Sequence, residues 1–371
     1  MVGAGGEHHS SGHWRATAVA LEQRLRYCPP VLSVGDVVDA TFELRERLAR
    51  GGMSVVWRAY HRGLRRDVAL KLTPVQDAVR VERLLREANR LSRVRAPSLV
   101  EVLHAGHDPV HGVAFLVMPL LLGETLAERL RSEGPLSRDE LVAMLLDVAA
   151  ALEALHEVGI VHRDVSAGNV LLKKSEAGRV LGATLIDLGI SWEATSAPVT
   201  TTGHIPGTWG YIAPELAREG AKPTPRSDQY ALAVLAYEAA EGARPFAGEL
   251  PEVVFARQAS QTPKPCHACG KPVGAAIERA MERDPELRFD SVLDFASAAA
   301  GLRRTVDLQY VWRSYREVAK TLGALGGLLG AVLLFIWIVS SLEGVPTKAV
   351  STSALDGGAP ARVDGGPPQG R

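Results

Sequence analysis

The segment VHRDVSAGN at residues 161–169, followed by DLG at residues 187–189, decides the fold of this 371-residue chain. It places two carboxylates and an amide in the order that a phosphate-transfer site needs. Asp164 can take the proton of a substrate hydroxyl, and Asn169 and Asp187 offer the hard oxygen ligands that Mg²⁺ prefers. A lone His-Arg-Asp arises often by chance, whereas the ordered pair of motifs, each behind an apolar run, is far rarer.

The composition limits the class of protein. Lysine plus arginine and aspartate plus glutamate are equal at 42 each, so the net charge is zero, which argues against bulk electrostatic binding to nucleic acid. Three unevenly placed cysteines imply no disulfide framework and favour a reducing compartment. Residues 1–11 contain no apolar run, so we expect no secretory signal peptide there.

The pattern of apolar residues divides the chain into a strand-rich part and a helical part. Before residue 120, β-type patterning predicts strands, and helical spacing of Leu84, Leu85, Ala88 and Leu91 predicts one helix. The predicted strands are 42–48, 54–60, 67–72, 99–105 and 113–118, and the helix is 79–94. After residue 125 we predict helices over 140–157, 227–242, 251–259, 274–282 and 291–302, with short strands at 159–162, 170–173 and 184–186. Ser137 and Glu140 form a capping box for the first of these helices.

Residues 321–342 form an uncharged stretch of 22 residues. At about 1.5 Å per residue it would reach about 33 Å, enough to cross a hydrocarbon core of about 30 Å. Arg313, Arg316 and Lys320 precede it, so the positive-inside rule predicts a cytoplasmic N-terminal part and a tail outside the membrane. We read residues 343–371, rich in Gly and Pro, as disordered, and residues 1–40 as a partly disordered arm.

Together with Ala213-Pro214-Glu215 downstream, these motifs resemble a eukaryotic-type (Hanks-type) serine/threonine protein kinase of bacteria, carrying a C-terminal single-pass transmembrane helix. The resemblance covers about residues 42–302. It implies an α+β, two-lobed protein-kinase fold with a small antiparallel β-rich lobe and a large helical lobe. The implied domain spans 41–303, with lobes at about 41–118 and 122–303, and residues 304–320 lead to the membrane.

The resemblance assigns residues to an ATP site. Residues 48–56 occupy the Gly-rich loop position, where glycines let backbone N–H groups approach phosphates. Ala49 stands where the family has the first glycine, Gly51 keeps the middle one, and Ser54 replaces the third; a plain hairpin turn is the alternative. The remaining implied ATP-binding residues are Val56, Ala69, Lys71, Met118 and Leu120, the last two at the hinge that holds adenine.

The resemblance also assigns the catalytic residues. Lys71 holds the α- and β-phosphates and pairs with a helix glutamate, for which Glu87 is the best candidate and Glu82 a weaker one. Asp164 is the base, and Asn169 and Asp187 hold Mg²⁺, with Mn²⁺ as a substitute. Ser166 stands where the family usually has a lysine that contacts the transferred phosphate, so the site lacks one positive charge.

The segment between Asp187 and Glu215 resembles an activation segment. Thr208 resembles the threonine found beside the catalytic aspartate of Ser/Thr kinases, so the substrate hydroxyl is expected on Ser or Thr. Thr200, Thr201 and Thr202 are candidate phosphorylation sites whose phosphate could pair with Arg163; a loop that is never modified is the alternative.

Two further residues support the large lobe by resemblance: Asp228 as the aspartate that holds the catalytic-loop backbone, and Arg288 as the buried partner of Glu215. Cys266-His267-Ala268-Cys269 has no counterpart in the family. Half of a zinc site, a site shared between chains and a redox pair are open alternatives, and an ordinary loop is the interpretation we favour.

The sequence thus predicts a membrane-anchored kinase that transfers the γ-phosphate of Mg-ATP to Ser or Thr of proteins, with autophosphorylation of the activation segment. Expected partners are ATP, protein substrates and membrane lipid around residues 321–342; a homodimer is left open. A pseudokinase scaffold at the membrane is the main alternative, because it explains Ala49, Ser54 and Ser166. A small-molecule kinase of similar fold is weakened by Thr208.

Overall fold

The computed structural model describes residues 32–51, 54–75, 77–187, 209–218, 220–246, 248 and 250–302. Among these residues, no helix is both long enough and apolar enough to cross a membrane. The predicted transmembrane stretch at 321–342, together with the arm, the juxtamembrane segment and the tail on either side of it, lies outside the described part of the chain.

A six-stranded antiparallel sheet forms the first lobe, with strand order β1-β2-β3-β4-β6-β5. The alternating and β-branched segments of the sequence supply most of its strands. The strands are β1 (Val37–Val38), β2 (Phe42–Arg50), β3 (Val55–His61), β4 (Arg66–Pro74), β5 (His104–Asp108) and β6 (Val113–Pro119). Helix α1 (Ala78–Leu91) lies between β4 and β5 in the chain and contacts β5 and β6.

The strand predicted over residues 99–105 lies further along the chain, at His104–Asp108. The apolar run instead makes isolated contacts: the Val100 N–H donates to the Leu185 carbonyl and the Leu103 N–H to the Val117 carbonyl. The regular pairing starts at His104, in a more polar segment whose Gly106 lies under the Phe115 ring. A Cβ at Gly106 would come within 2.3 Å of that ring, so close packing, rather than hydrophobicity, places this strand.

The core of this lobe lies on one face of the sheet. Phe42, Leu44, Leu70 and Phe115 are almost fully buried, and the Phe42 and Phe115 rings have centroids 5.5 Å apart in a tilted arrangement. Aromatic pairs at this separation are favourable beyond the area they bury. This face anchors β4 and β6, the strands that carry Lys71 and Met118.

The second lobe consists of helices around a buried central helix. They are α2 (Leu126–Ser132), α3 (Arg138–His156), α4 (Pro225–Glu241), α5 (Pro251–Ser260), α6 (Lys271–Ala280) and α7 (Val292–Ala300). Strands β7 (Val170–Lys174) and β8 (Val180–Leu185) form an antiparallel pair beside them. In α4 every residue from Ser227 to Tyr237 is buried, which identifies the helix at the centre of the lobe.

Capping fixes where the helices begin and end. The predicted Ser137–Glu140 capping box is present: the Glu140 carboxylate accepts from the Ser137 N–H at 3.0 Å. Helix α4 ends at Gly242, whose φ of 75° is the left-handed conformation typical of a helix C-terminus. The short strand predicted at 159–162 is instead an irregular loop, and it leads directly into the catalytic segment.

Candidate active site

The loop around Asp164 is held in an unfavourable backbone conformation by a buried carboxylate. Arg163 has φ of 70°, a left-handed value that a non-glycine residue adopts only at a cost. Asp228, on α4 and 1% exposed, accepts hydrogen bonds from the His162 N–H at 2.7 Å and the Arg163 N–H at 2.8 Å. His156 Nε2 lies 2.8 Å from the same carboxylate. Asp228 therefore bonds the backbone of the catalytic loop, which is the contact that the family resemblance implied.

Asp164 and Asn169 form one hydrogen-bonded unit. The Asn169 amide nitrogen donates to the Asp164 carbonyl at 2.8 Å and to its carboxylate at 3.0 Å. Both bonds use nitrogen, so the amide oxygen is the atom that Asn169 can offer to a metal. Burial raises the pKa of Asp164, and the nearby Asp187 raises it further. A raised pKa makes a carboxylate a better proton acceptor, as a general base requires.

The buried His162 supports the same loop. Its Nδ1 accepts a hydrogen bond from the Asp164 N–H at 3.3 Å, which requires an unprotonated nitrogen at that position. Burial lowers the pKa of His162 and keeps the ring neutral. His162 is therefore a structural member of the motif.

Asp187 and Lys71 bring the two lobes together at the site. The Ile186 N–H donates to the Asn169 carbonyl at 2.9 Å, continuing the β7–β8 pairing and placing Asp187 beside Asn169. Lys71, on β4 and 5% exposed, pairs through Nζ with the Asp187 carboxylate. The sequence predicted both residues in the site but did not predict this contact between them.

The two candidate helix glutamates differ in burial. Glu82 is 72% exposed and pairs with Arg86 one turn later at 2.6 Å. Glu87 is half-buried on α1, next to the buried Ala88. Helix α1 covers a small cavity that is lined by Lys71, Thr73, Leu84, Leu85, Ala114, Phe115 and Leu116. The burial of Glu87 therefore favours it over Glu82 as the residue that acts with Lys71.

Strand pairing in the sheet brings several predicted nucleotide-binding residues next to one another. Val56 lies opposite Lys71, Ala69 lies opposite Met118, and Ala49 pairs with Val56 across the β2–β3 hairpin. The Gly51 N–H donates to the Ser54 carbonyl at 2.8 Å and closes this hairpin. Leu120 is half-buried immediately after β6. The sheet thus places these residues on neighbouring strands around Lys71.

Tyr211 supports the catalytic loop next to Ser166, a role that the sequence did not predict. The Ala167 N–H donates to the Tyr211 hydroxyl at 3.3 Å, and that hydroxyl donates to the Glu238 carboxylate on α4. Burial and Glu238 raise the pKa of Tyr211, so the phenol stays protonated and remains a donor. The sequence shows only a tyrosine after Gly210. The two residues that bond the Tyr211 hydroxyl, Ala167 and Glu238, lie 44 and 27 residues from it in the chain.

Glu215 and Arg288 form a buried pair. The Arg288 guanidinium donates to both Glu215 carboxylate oxygens at 2.8 Å and to the carbonyls of Glu282, Arg226 and Arg283. The guanidinium carbon of Arg288 also lies 4.9 Å from the centroid of the Tyr230 ring. This bidentate geometry fixes the end of the segment that follows the site.

Several predicted functional residues lie outside the described residues. They are Leu188, Gly189, Thr200, Thr201, Thr202 and Thr208. Their roles stay predictions. After Thr208, Trp209–Tyr211 and Pro214–Ala217 form 3₁₀ turns that contact α5.

The loop at Cys266–Cys269 differs from the ordinary loop that we favoured from the sequence. The two sulfur atoms are paired in a disulfide, with Cα atoms 6.3 Å apart. Both cysteines are buried, at 5% and 2% exposure. Among the described residues, no group of three or more His, Cys, Asp or Glu could hold a metal ion.

The fold and these contacts define a two-lobed kinase domain, and a family model for the protein kinase domain matches residues 42–294. The chain belongs to this family. The serine/threonine-protein kinase PknA of Mycobacterium tuberculosis is 36% identical over 277 residues, which cover 73% of this chain and 63% of PknA. PknE of the same organism is 35% identical over 272 residues, covering 72% of this chain and 47% of PknE.

A crystal structure of the M. tuberculosis PknI kinase domain superposes with a TM-score of 0.55 and 26% sequence identity, covering 73% of this chain and 99% of that domain. The chain spans less than two thirds of the length of PknA and PknE. The likeness therefore concerns the kinase domain.

Proposed function

We propose that the chain is a membrane-anchored serine/threonine protein kinase that transfers the γ-phosphate of Mg-ATP to protein hydroxyls. The observation that carries the proposal is the convergence of Asp164, Asn169, Asp187 and Lys71 from separate elements into one site. The similarity to PknA and PknE supports the same activity.

The donor set fits a magnesium nucleotide. The Asp187 carboxylate and the Asn169 amide oxygen are hard ligands on adjacent segments, and Lys71 is a buried cation beside Asp187. Bound Mg-ATP supplies the phosphoryl group and neutralises charge on its oxygens. Lys71 would exchange its contact with Asp187 for the phosphates, leaving that carboxylate for the metal.

Asp164 orients the substrate hydroxyl and accepts its proton. Its carboxylate accepts a hydrogen bond from Asn169, and its own N–H donates to the His162 ring. The preceding Arg163 N–H is held by Asp228. A base held from both sides needs little reorganisation when the substrate arrives. Ser166 lies two residues further on and offers only a neutral hydroxyl, so charge stabilisation is weaker there than with a lysine.

The chain is further proposed to phosphorylate its own activation segment at Thr200, Thr201 or Thr202. Trypsin cleaves after Arg179 and Arg218 and has no site between them, so one peptide, 180–218, contains all three threonines. Incubation of the full chain with Mg-ATP, followed by mass spectrometry, should find phosphate on this peptide. The Asp164→Asn variant, treated identically, should stay unmodified. Absence of phosphate from the wild-type peptide would sink this part of the proposal.

The membrane anchor rests on residues 321–342 and on the basic residues before them. In cells, the full chain should stay in the membrane fraction after alkaline carbonate extraction, and a variant lacking 321–342 should be released. Protease added outside spheroplasts should remove only the tail. Release of the intact chain by carbonate would contradict the anchor without touching the kinase assignment.

A pseudokinase scaffold is the second candidate, and Ser166 is the observation that favours it. A site without the usual lysine has lost one source of transition-state charge stabilisation. The scaffold reading leaves unexplained why Asp164, Asn169, Asp187 and Lys71 are placed together. Pairing of two copies of the chain is compatible with either function.

A further inference from the structure

The turn at Cys266–Cys269 is built so that its two sulfur atoms meet. It connects α5 to α6, and Glu241 at the end of α4 accepts hydrogen bonds from the His267 N–H at 2.7 Å and the Ala268 N–H at 3.0 Å. The carboxylate of a distant helix therefore holds the two residues between the cysteines. This contact therefore helps to fix the conformation of the turn.

Two glycines fix the other side of the turn. Gly270 has φ of 78°, in the left-handed region that favours glycine, and precedes the first residue of α6. A Cβ at Gly274 would lie 2.7 Å from the Cys266 carbonyl oxygen, so only glycine lets α6 approach this closely. The backbone on both sides of the cysteine pair is thus fixed by contacts other than the bond between the two sulfurs.

The surroundings favour reactive thiols. Cys269 lies one residue before Gly270, the N-cap of α6, near the helix end whose dipole stabilises a thiolate. Lys264, His267 and Lys271 stand within two residues of the pair, and Glu241 is engaged with backbone N–H groups. The cysteines are buried, but His267 and Ala268 between them in the chain are exposed, so the turn itself reaches the surface.

We propose that Cys266 and Cys269 form a redox-active dithiol site that exchanges with small or protein disulfides. One thiolate attacks the external disulfide, forming a mixed disulfide and releasing one thiol. The second cysteine then displaces the remaining thiol, so one external disulfide becomes two thiols and the protein dithiol becomes a disulfide. Two protons pass from the cysteines to the released thiols. The exchange itself uses none of the residues assigned to phosphate transfer.

Oxidation would tighten one corner of the helical lobe. The turn joins the end of α4, through Glu241, to the start of α6, which packs on α4 and α7. Helix α5, before the turn, contacts the end of the activation segment: the Gln258 side chain donates to the Ile212 carbonyl at 3.1 Å. The redox state of the pair is therefore linked to a segment that borders the active site.

The test uses the full chain equilibrated in glutathione buffers of graded oxidised-to-reduced ratio, then alkylated and digested with trypsin. Lys264 and Lys271 are each followed by proline, so trypsin leaves residues 258–279 as one peptide with both cysteines. At reducing ratios this peptide should carry two alkyl groups. At oxidising ratios it should carry none and should be two hydrogens lighter than the unalkylated dithiol peptide. A Cys28→Ser variant should titrate identically, because Cys28 takes no part.

The matched pair Glu241→Ala and Glu278→Ala tests the role of the turn. Removing the Glu241 carboxylate should lower the equilibrium constant for disulfide formation on the order of tenfold, because the two sulfurs are no longer held together. Glu278, exposed on α6, should leave it unchanged. A peptide that stays doubly alkylated at every ratio, or that carries only glutathione or a bond to Cys28, would overturn the proposal. Equal titration of the two glutamate variants would overturn the role given to Glu241.

Discussion

Asp228 accepts hydrogen bonds from the backbone N–H groups of both His162 and Arg163, 66 and 65 residues earlier in the chain. This contact ties the central helix α4 to the loop that carries Asp164. It also accounts for the positive φ of Arg163, because the strained backbone presents its N–H groups to a buried negative charge.

Asp228→Asn should weaken both the fold and catalysis. An amide has one acceptor oxygen where the carboxylate has two, so one buried N–H loses its partner. We expect a loss of about 1–3 kcal/mol in the free energy of unfolding and a fall in kcat larger than the change in KM for ATP. Urea unfolding and steady-state kinetics measure the two effects. Asp290→Asn, at a 95% exposed side chain, is the control and should change neither. A stable, fully active Asp228→Asn protein would show that the loop holds its own shape.

Ser166→Lys should raise the rate of phosphate transfer. The substitution adds a positive charge two residues from Asp164, where charge develops on the transferred group. We expect an increase in kcat of about tenfold or more, measured with labelled ATP at saturating substrate. Glu176→Lys, which adds a lysine at an exposed position, serves as the control. An unchanged or lower rate in Ser166→Lys would mean that another cation already serves the site.

Arg288→Met should be strongly destabilising. The Arg288 side chain is fully buried, and its removal leaves the Glu215 carboxylate and three backbone carbonyls without their donor. Breaking one side of such a pair costs about 3–5 kcal/mol, which denaturant unfolding would detect. Arg62→Met, which removes a half-exposed partner of Glu43, should cost at most about 1 kcal/mol. Similar losses in the two variants would contradict the structural importance of the Glu215–Arg288 pair.

Glu153 should make stability depend on pH. Burial raises the pKa of this half-buried carboxyl on α3, and Glu157 and Asp294 raise it further. The protonated form therefore favours the folded state, and its contribution is complete below the unfolded pKa of about 4.3. It is lost as the pH rises through the higher folded pKa.

Glu153→Gln stays neutral, so it should be more stable than the wild type at pH 7, with the difference vanishing near pH 4. Thermal unfolding across this range measures the effect, with the exposed Glu176→Gln as the control. A difference that is the same at both pH values would exclude ionisation as its cause.

Local patterns were sufficient to predict much of the fold. The strand at 42–48 is observed as Phe42–Arg50 and the helix at 140–157 as Arg138–His156, because alternation and capping residues act over neighbouring positions. The helix α2 was missed although Thr125 and Glu128 form a capping box, since its seven residues give too short a pattern. The strand at 99–105 was misplaced because the packing of Gly106 under Phe115 depends on the partner strand.

In the candidate site, the motifs and the resemblance predicted which residues take part, but not which of them are in contact. The contact of Lys71 with Asp187 spans 116 residues, and the support of Ala167 by Tyr211 and Glu238 joins three separate elements. The turn between Cys266 and Cys269 is held by Glu241, 26 residues from His267. Such contacts arise from tertiary packing, which a motif does not encode.

The central claim is that Asp164, Asn169, Asp187 and Lys71 form a working phosphate-transfer site. The most direct measurement gives the purified full chain γ-labelled Mg-ATP and a protein substrate, and compares the wild type with Asp187→Asn. We predict label on Ser or Thr with the wild type and none with Asp187→Asn, because an amide is a poorer metal ligand than a carboxylate. Full transfer by Asp187→Asn, or no transfer by a wild-type chain that binds ATP, would contradict it.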